Sequence, residues 1–395
     1  MKIYADNAAT TKMSETAINA MLPYLNECYY NPSGLYSCAQ AAKDAIEDAR
    51  EKIARCIGAS PREIIFTSGG SEADNQAIIS AAEIGRKAGK CHIISDAIEH
   101  HAVLHTLKEL EKDGFEVTYL LPDSNGLISV SDLENAIKDD TCLVTIMYAN
   151  NEIGTIEPIR EIGDICKKRG IIFHTDAVQA VGRMPIDVGK QCIDMLSASA
   201  HKFHGPKGVG FLYSKRGIAL TNIINGGAQE RGLRAGTENV AGIVAMAEAL
   251  TATLNSAEEN AKKLLPLRDK LIKGLNEIPH SALNGDKTCR LPSNVNFCFE
   301  GIEGESLLLL LDDKGIMASS GSACTSGSLD PSHVLLAIGR PHDVAHGSLR
   351  LTLGEDTNDE QIDYIIKTVK EVVTYLRGFS PVWRDLCEGK SKFIL

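Results

Sequence analysis

A lysine just past a short apolar stretch, in Ser199-Ala200-His201-Lys202, is the first residue whose setting calls for a chemical reason. Lysine is costly to bury. One use for it at the end of a buried strand is an imine with an aldehyde cofactor; the other reading is an exposed lysine in the loop Phe203-His204-Gly205-Pro206-Lys207-Gly208. Asp176 and Gln179 follow an apolar run in His174-Thr175-Asp176-Ala177-Val178-Gln179. Ligands of open α/β sheets bind outside the carboxyl ends of strands. An aspartate there either keeps a pyridinium nitrogen protonated or caps the next helix, and Gln179 could reach a ring hydroxyl. Thr67-Ser68-Gly69-Gly70-Ser71-Glu72 reads as a strand, a glycine turn and a helix start, whose free N–H groups favour a phosphate. It does not match G-x-x-x-x-G-K-[ST], so a nucleoside-triphosphate loop is disfavoured.

His100, in Ile98-Glu99-His100-His101, could stack on a planar ring or cap a helix. Cys324 stands in Ser319-Ser320-Gly321-Ser322-Ala323-Cys324-Thr325-Ser326-Gly327-Ser328, a composition of exposed loops where a thiol is accessible. Cys142, Cys166 and Cys298 sit in apolar patterns and read as inert. Arg350, inside Ser348-Leu349-Arg350-Leu351-Thr352, either faces solvent or clamps a carboxylate with two nitrogens. Asn150 and Asn151 follow another apolar strand and could line the same crevice.

The elements that must position these residues alternate along the chain. Apolar spacing predicts a helix from Ser37 to Gly58, one from Ser71 to Ala88 with Ser71 as its cap, one from about His100, and one from Ile159 to Lys168 stopped by Gly170. Ser131-x-x-Glu134 resembles a capping box. Strands are expected at 64–67, 92–95, 117–121, 142–148, 171–174, 195–198 and 209–213. Short apolar strands between helices imply an α/β fold with a mainly parallel sheet covered on both faces. A long helix begins at Thr237. From about residue 259 the texture changes, with helices at 261–275, 305–313 and 358–376 and strands at 295–299 and 349–353, which reads as a smaller α+β domain.

Composition bounds the function. The 395 residues carry 41 Lys and Arg against 52 Asp and Glu, a net charge of −11. That argues against nucleic-acid binding and against docking on anionic membranes. The longest purely apolar run is Leu307 to Leu311, and MKIYADNAATT lacks the apolar core of a signal peptide, so a cytoplasmic location is expected. Eleven cysteines with no C-x-x-C pair give no metal-ligand spacing, and none of the candidate residues is assigned to a metal.

Together the HTDAVQ, SAHKFHGPKG, ERGLRAGTEN and SSGSACTSGSLDPSHVL stretches resemble the cysteine desulfurases of the NifS/IscS type, pyridoxal-phosphate enzymes of the aminotransferase-like fold. The likeness runs from Tyr4 to Trp383. It implies a large cofactor domain at 13–258, and a small domain of 1–12 and 259–395 carrying the cysteine loop at about 319–330. It implies that Lys202 carries pyridoxal 5'-phosphate, that His100 stacks on the ring and moves protons, and that Asp176 and Gln179 meet the ring nitrogen and ring oxygen. Gly70, Ser71, Ser199 and His201 then form the phosphate cup. Thr237 would reach the phosphate from a neighbouring subunit, which implies a homodimer. Asn151 and Arg350 would hold L-cysteine and its carboxylate, and Cys324 would accept the sulfur as a persulfide, leaving L-alanine. The long cysteine loop resembles the branch that passes sulfur to iron–sulfur scaffold proteins, although 384–395 departs from longer family tails. A selenocysteine lyase or an aminotransferase of the same fold is the alternative.

Overall fold

The computed structural model describes residues 1–320 and 331–395, so Cys324 lies outside the described residues. Seven strands form the main sheet in the order Ile64–Thr67, Gly210–Ser214, Met195–Ser199, Ile172–Asp176, Thr141–Thr145, His92–Asp96, Glu116–Leu120. The last five in this order pair parallel; Gly210–Ser214 runs antiparallel to both of its neighbours. Side chains alternate between two cores, as a two-residue period requires. Ile64, Phe66, Val144, Leu196 and Phe211 join one, and Ile65, Leu143, Met195 and Leu212 the other. Both faces of the inner strands are thus buried, which is why short apolar runs mark them, while Glu116–Leu120 at the edge is partly exposed.

A separate core gathers Ile3, Leu267, Leu271, Val295, Phe297, Leu349 and Val369. Its three-stranded sheet, Ser348–Thr352, Asn294–Phe299 and Ser281–Leu283, is antiparallel. The N-terminal strand Ile3–Tyr4 pairs with Ile316–Met317. Where the sequence suggests one helix from Thr237 and another from Ala261, a single helix spans Val240–Asn276. The expected division between residues 258 and 259 falls inside it. Ile243, Met246 and Leu250 pack in the large core, and Leu264, Leu267, Leu271 and Leu275 in the small one. This helix has the length and apolarity of a membrane span, a property it owes to serving two cores.

Two expected caps are corrected. The helix Gly70–Lys87 is preceded by Gly69, and Ser71 is its second residue. The helix Val130–Ala136 is capped by Ser129, whose hydroxyl accepts from the Asp132 N–H, while Ser131 hydrogen bonds with the Ser129 hydroxyl. Both starts fall slightly earlier than apolar periodicity suggests, because the first helical turn is polar.

Candidate active site

The parallel strands all end on one side, so the segments that follow them converge. Asp176 is the last residue of its strand, and Ser199 ends the next, feeding the turn Ala200–Lys202. His100 follows the strand His92–Asp96, and Gly70 opens a helix behind the edge strand. Gly70 packs so closely that a Cβ would come 2.6 Å from Val178 Cγ2. The result is a cavity of about 570 Å³ lined by Gly70, Ser71, His100, Asn151, Asp176, Gln179, Ser199, His201, Lys202 and Arg350, with Asp74 and Lys207 among its other walls. Every expected site residue converges there except two. Thr237 is exposed and lies outside the lining, and Cys324 is not among the described residues.

Lys202 is held from the N-terminal segment. Its Nζ donates to the carbonyls of Ala8 (2.6 Å) and Ala9 (2.9 Å). Thr11 donates its hydroxyl to the His201 carbonyl (2.9 Å), and His201 Nδ1 meets the Thr10 hydroxyl at 3.1 Å. Burial, with Lys202 and Lys207 close by, pushes His201 down to about 4, so its imidazole is neutral at neutral pH.

Asp176 accepts from the Val178 N–H through Oδ1 (2.9 Å). Burial raises its pKa, against the pull of His100 and Lys202. Asp74 is also buried, and burial plus the Asp176 charge raise it well above the carboxylate range. His174, 3.7 Å from Asp74, cannot neutralise it, because burial drives His174 down to about 3. Asp74 therefore keeps a proton, and Asp176, facing the cavity with Lys202 and His100 beside it, carries the charge. His100 Nδ1 accepts from the Ala102 N–H (3.1 Å), which places the hydrogen of the neutral ring on Nε2. The nearest ligand atoms of Asp74, His100 and Asp176 lie within 4.8 Å of one another. A metal ion there would need both interior carboxylates ionised, whereas a pyridinium nitrogen needs only one.

Other groups fit a planar, anionic cofactor. Gln179 donates Nε2 to the Ala8 carbonyl (3.0 Å), while its Oε1 is buried with no partner. The N–H groups of the first turn after Gly69 give an anion seat. Burial would raise the nearby Glu72 carboxyl, but hydrogen bonds from Arg234 and Ser68 outweigh it and hold Glu72 ionised. Arg350 is buried rather than solvent-facing; Nη2 pairs with Asp6 (2.9 Å), Nη1 donates to the Asn151 carbonyl (3.1 Å), and Nε has no partner. Asn150 turns inward, its Oδ1 accepting from the Glu152 and Ile153 N–H groups, so it shapes the loop while Asn151 lines the cavity.

Sequence reasoning missed Asp74 and the Ala8 and Ala9 carbonyls. Asp74 had a signal: it lies three and four residues from the buried Ala77 and Ile78, on the apolar stripe of its helix. Main-chain acceptors have none. It also missed what fixes the ERGLRAGTEN stretch: Glu230 and Arg231 adopt positive φ, and the Glu230 carboxylate, buried, takes both nitrogens of Arg50 at 2.8 and 2.7 Å.

The family described as aminotransferase class-V matches residues 3–365. A cysteine desulfurase IscS of Clostridium botulinum (strain Hall) is 53% identical over 394 residues, 99% of each chain. Another, from Methanosarcina thermophila, is 55% identical over 380 residues, covering 96% of this chain and 94% of its own. A solved NifS-like protein superposes with a TM-score of 0.89 at 39% identity, covering 95% of this chain and 100% of its own.

Proposed function

The chain belongs to the aminotransferase class-V family and is a cysteine desulfurase, and on that premise we propose how its residues divide the work. The observation that carries the assignment is the convergence of Lys202, Asp176 and His100 on one cavity whose remaining walls offer an anion seat and a buried guanidinium. These residues fit pyridoxal 5'-phosphate: Lys202 to hold it covalently, Asp176 at the ring nitrogen, Gln179 at the ring oxygen, His100 against the ring. Gly70, Ser71, Ser199 and His201 take the phosphate, a fit supported by the helix start at Gly70, and the unpartnered Gln179 Oε1 is left to accept from the ring hydroxyl. When bound, the cofactor supplies an aldehyde for the substrate amine and a ring that takes up the electron pair released at Cα.

The chain's own groups supply the rest. Arg350, with Asn151 beside it, holds the carboxylate of L-cysteine through the guanidinium. Lys202 Nζ, released when the substrate amine takes its place, takes the Cα proton. His100, with its hydrogen on Nε2, passes a proton at the substrate thiol. The Cys324 thiolate attacks the substrate sulfur; the new S–S bond forms as the C–S bond breaks, and the carbon skeleton leaves as L-alanine. The persulfide on Cys324 is then handed to an acceptor protein, of the iron–sulfur scaffold kind that the long cysteine-bearing stretch fits. A homodimer is supported by Thr237, exposed on a segment that Arg50 and Glu230 pin in place. A reducing, cytoplasmic setting is supported by the ten cysteines of the described residues, all free thiols.

Cys324→Ala tests the assignment. Alanine and sulfide formation from L-cysteine should fall to background while the bound cofactor keeps its visible absorbance. Sulfide production at the wild-type rate would overturn the role of Cys324, and borohydride reduction that left Lys202 unmodified would overturn the role of the lysine.

A further inference from the structure

Ser332 caps the helix His333–Ala337 and stands eight residues after Cys324 in the sequence. Its Oγ accepts from the Val334 N–H (3.1 Å) and the Leu335 N–H (3.3 Å), and its hydrogen goes to Glu152 Oε2. Both Ser332 and Glu152 are buried. A hydroxyl offers one donor and two acceptor positions, so all of those on Ser332 are filled. The next residue makes a second tie: His333 Nε2 donates to the Glu99 carbonyl (3.0 Å). The start of this helix is thus bound to the segment holding Asn151 and to the segment holding His100, both of which line the cofactor cavity.

Glu152 does not line that cavity, but its main chain is fixed to what does. Its N–H donates to Asn150 Oδ1 (2.8 Å), and its carbonyl accepts from the side-chain amides of Asn294 (3.2 Å) and Asn296 (3.0 Å). Asn296 stands opposite Arg350 in the strand register, and Arg350 Nη1 donates to the carbonyl of Asn151, the neighbour of Glu152. A buried carboxyl is costly. Burial pushes Glu152 up to about 7, opposed by the Ser332 hydroxyl and by Arg350 and His100. The desulfurase steps give this group no proton to move. Its side chain serves the bond to Ser332.

We propose that Glu152 is a positioning residue for sulfur transfer: through Ser332 it fixes where the chain that follows Cys324 meets the substrate loop. The proposal rests on Cys324 as the sulfur acceptor. Substrate binding and removal of the Cα proton use Arg350 and Lys202 and do not need the Glu152 side chain. Attack by the Cys324 thiolate does, since a misplacement of about 1 Å can cost roughly a hundredfold in rate.

Two reactions of the cofactor-loaded full chain separate these steps. Alanine formation from L-cysteine needs Cys324. Exchange of the Cα proton of L-alanine in D₂O, followed by NMR, needs Lys202 and Arg350 but no thiol. Glu152→Ala and Ser332→Ala are each expected to lower kcat for alanine formation by about tenfold or more, and to leave KM for L-cysteine and the exchange rate within about threefold of wild type. The double variant should be no slower than the slower single one, because both remove the same bond. Glu152→Gln, whose amide oxygen still accepts from Ser332, should recover most of the rate. Ser332→Ala removes a single oxygen and leaves the fold in place, which the far-UV spectrum confirms. Wild-type alanine formation in both single variants, equal loss of exchange and of alanine formation, or no recovery with Glu152→Gln would each overturn the proposal. Failure of the Cys324 role shows instead in the wild type, as exchange without a persulfide on Cys324, and would overturn the proposal together with its premise.

Discussion

Two carboxyl groups in one interior cannot both ionise cheaply, and the site uses that fact. Asp74 is enclosed between its helix and the sheet, whereas Asp176 faces His100 and Lys202, so the charge is directed to the residue that meets the cavity. Asp176→Asn should lower the rate of alanine formation by about two orders of magnitude or more, since a neutral amide cannot hold a ring nitrogen protonated. Its thermal stability should hold or rise, because a buried charge is removed. Arg350 has a different part. Its planar fork is already aimed by Asp6 and the Asn151 carbonyl, and Arg350→Lys keeps the charge but loses that geometry. The expected result is a KM for L-cysteine raised by roughly ten- to a hundredfold, the worth of one or two charged hydrogen bonds, with a smaller change in kcat. Steady-state kinetics separate the two.

Elements place these groups through contacts that are close and unforgiving. The start of the helix Gly70–Lys87 rests on Val178, two residues past Asp176, with no room for a Cβ. Gly70→Ala should push the anion seat away from the strand end and weaken cofactor affinity at least tenfold, read by absorbance titration of the stripped protein. The Arg50–Glu230 pair fixes the segment leading to Thr237. Removing one partner leaves the other charged and buried, so Glu230→Ala should cost about 3–5 kcal/mol in urea unfolding. The strands were legible because short apolar runs buried on both faces mark most of them, Glu116–Leu120 at the sheet edge being the partly exposed one; all seven fall where the sequence places them, within a few residues at the ends. Asp176, Lys202 and His100 were legible as residue types at strand ends. What was hidden has one cause, contacts between parts distant in sequence. The Ala8 and Ala9 carbonyls offer no side chain to read. The helix Val240–Asn276 looked broken because Glu258, Glu259, Lys262 and Lys263 lie on its exposed face between two cores.

That helix ties the large core to the small one. It contributes Met246 and Leu250 to the large core and Leu267 and Leu271 to the small one. Leu271→Ala should cost about 2–5 kcal/mol, and far- and near-UV dichroism should still report a single transition; two separated transitions would contradict the coupling. Buried acids set how that stability varies with pH. Burial, with Asp96 nearby, pushes Glu157 up to about 9. In the unfolded chain it ionises near its ordinary value, so between about 4.5 and 9 the folded state holds a proton that the unfolded state has released. Stability from this group is complete at the acid end and falls as pH rises through the window, by up to about 1.4 kcal/mol per unit. Glu157→Gln should flatten the fall in Tm between pH 5 and 9. The clasp on Lys202 carries a last consequence. Residues 8 and 9 hold the amine, yet Ala5 beside them donates to the Met317 carbonyl and accepts from the Thr352 N–H. During synthesis on the ribosome those partners are made more than three hundred residues later. A nascent chain can lay down much of the parallel sheet, but its reactive amine is seated only when translation is nearly over, so stalled or truncated products carry no working enzyme.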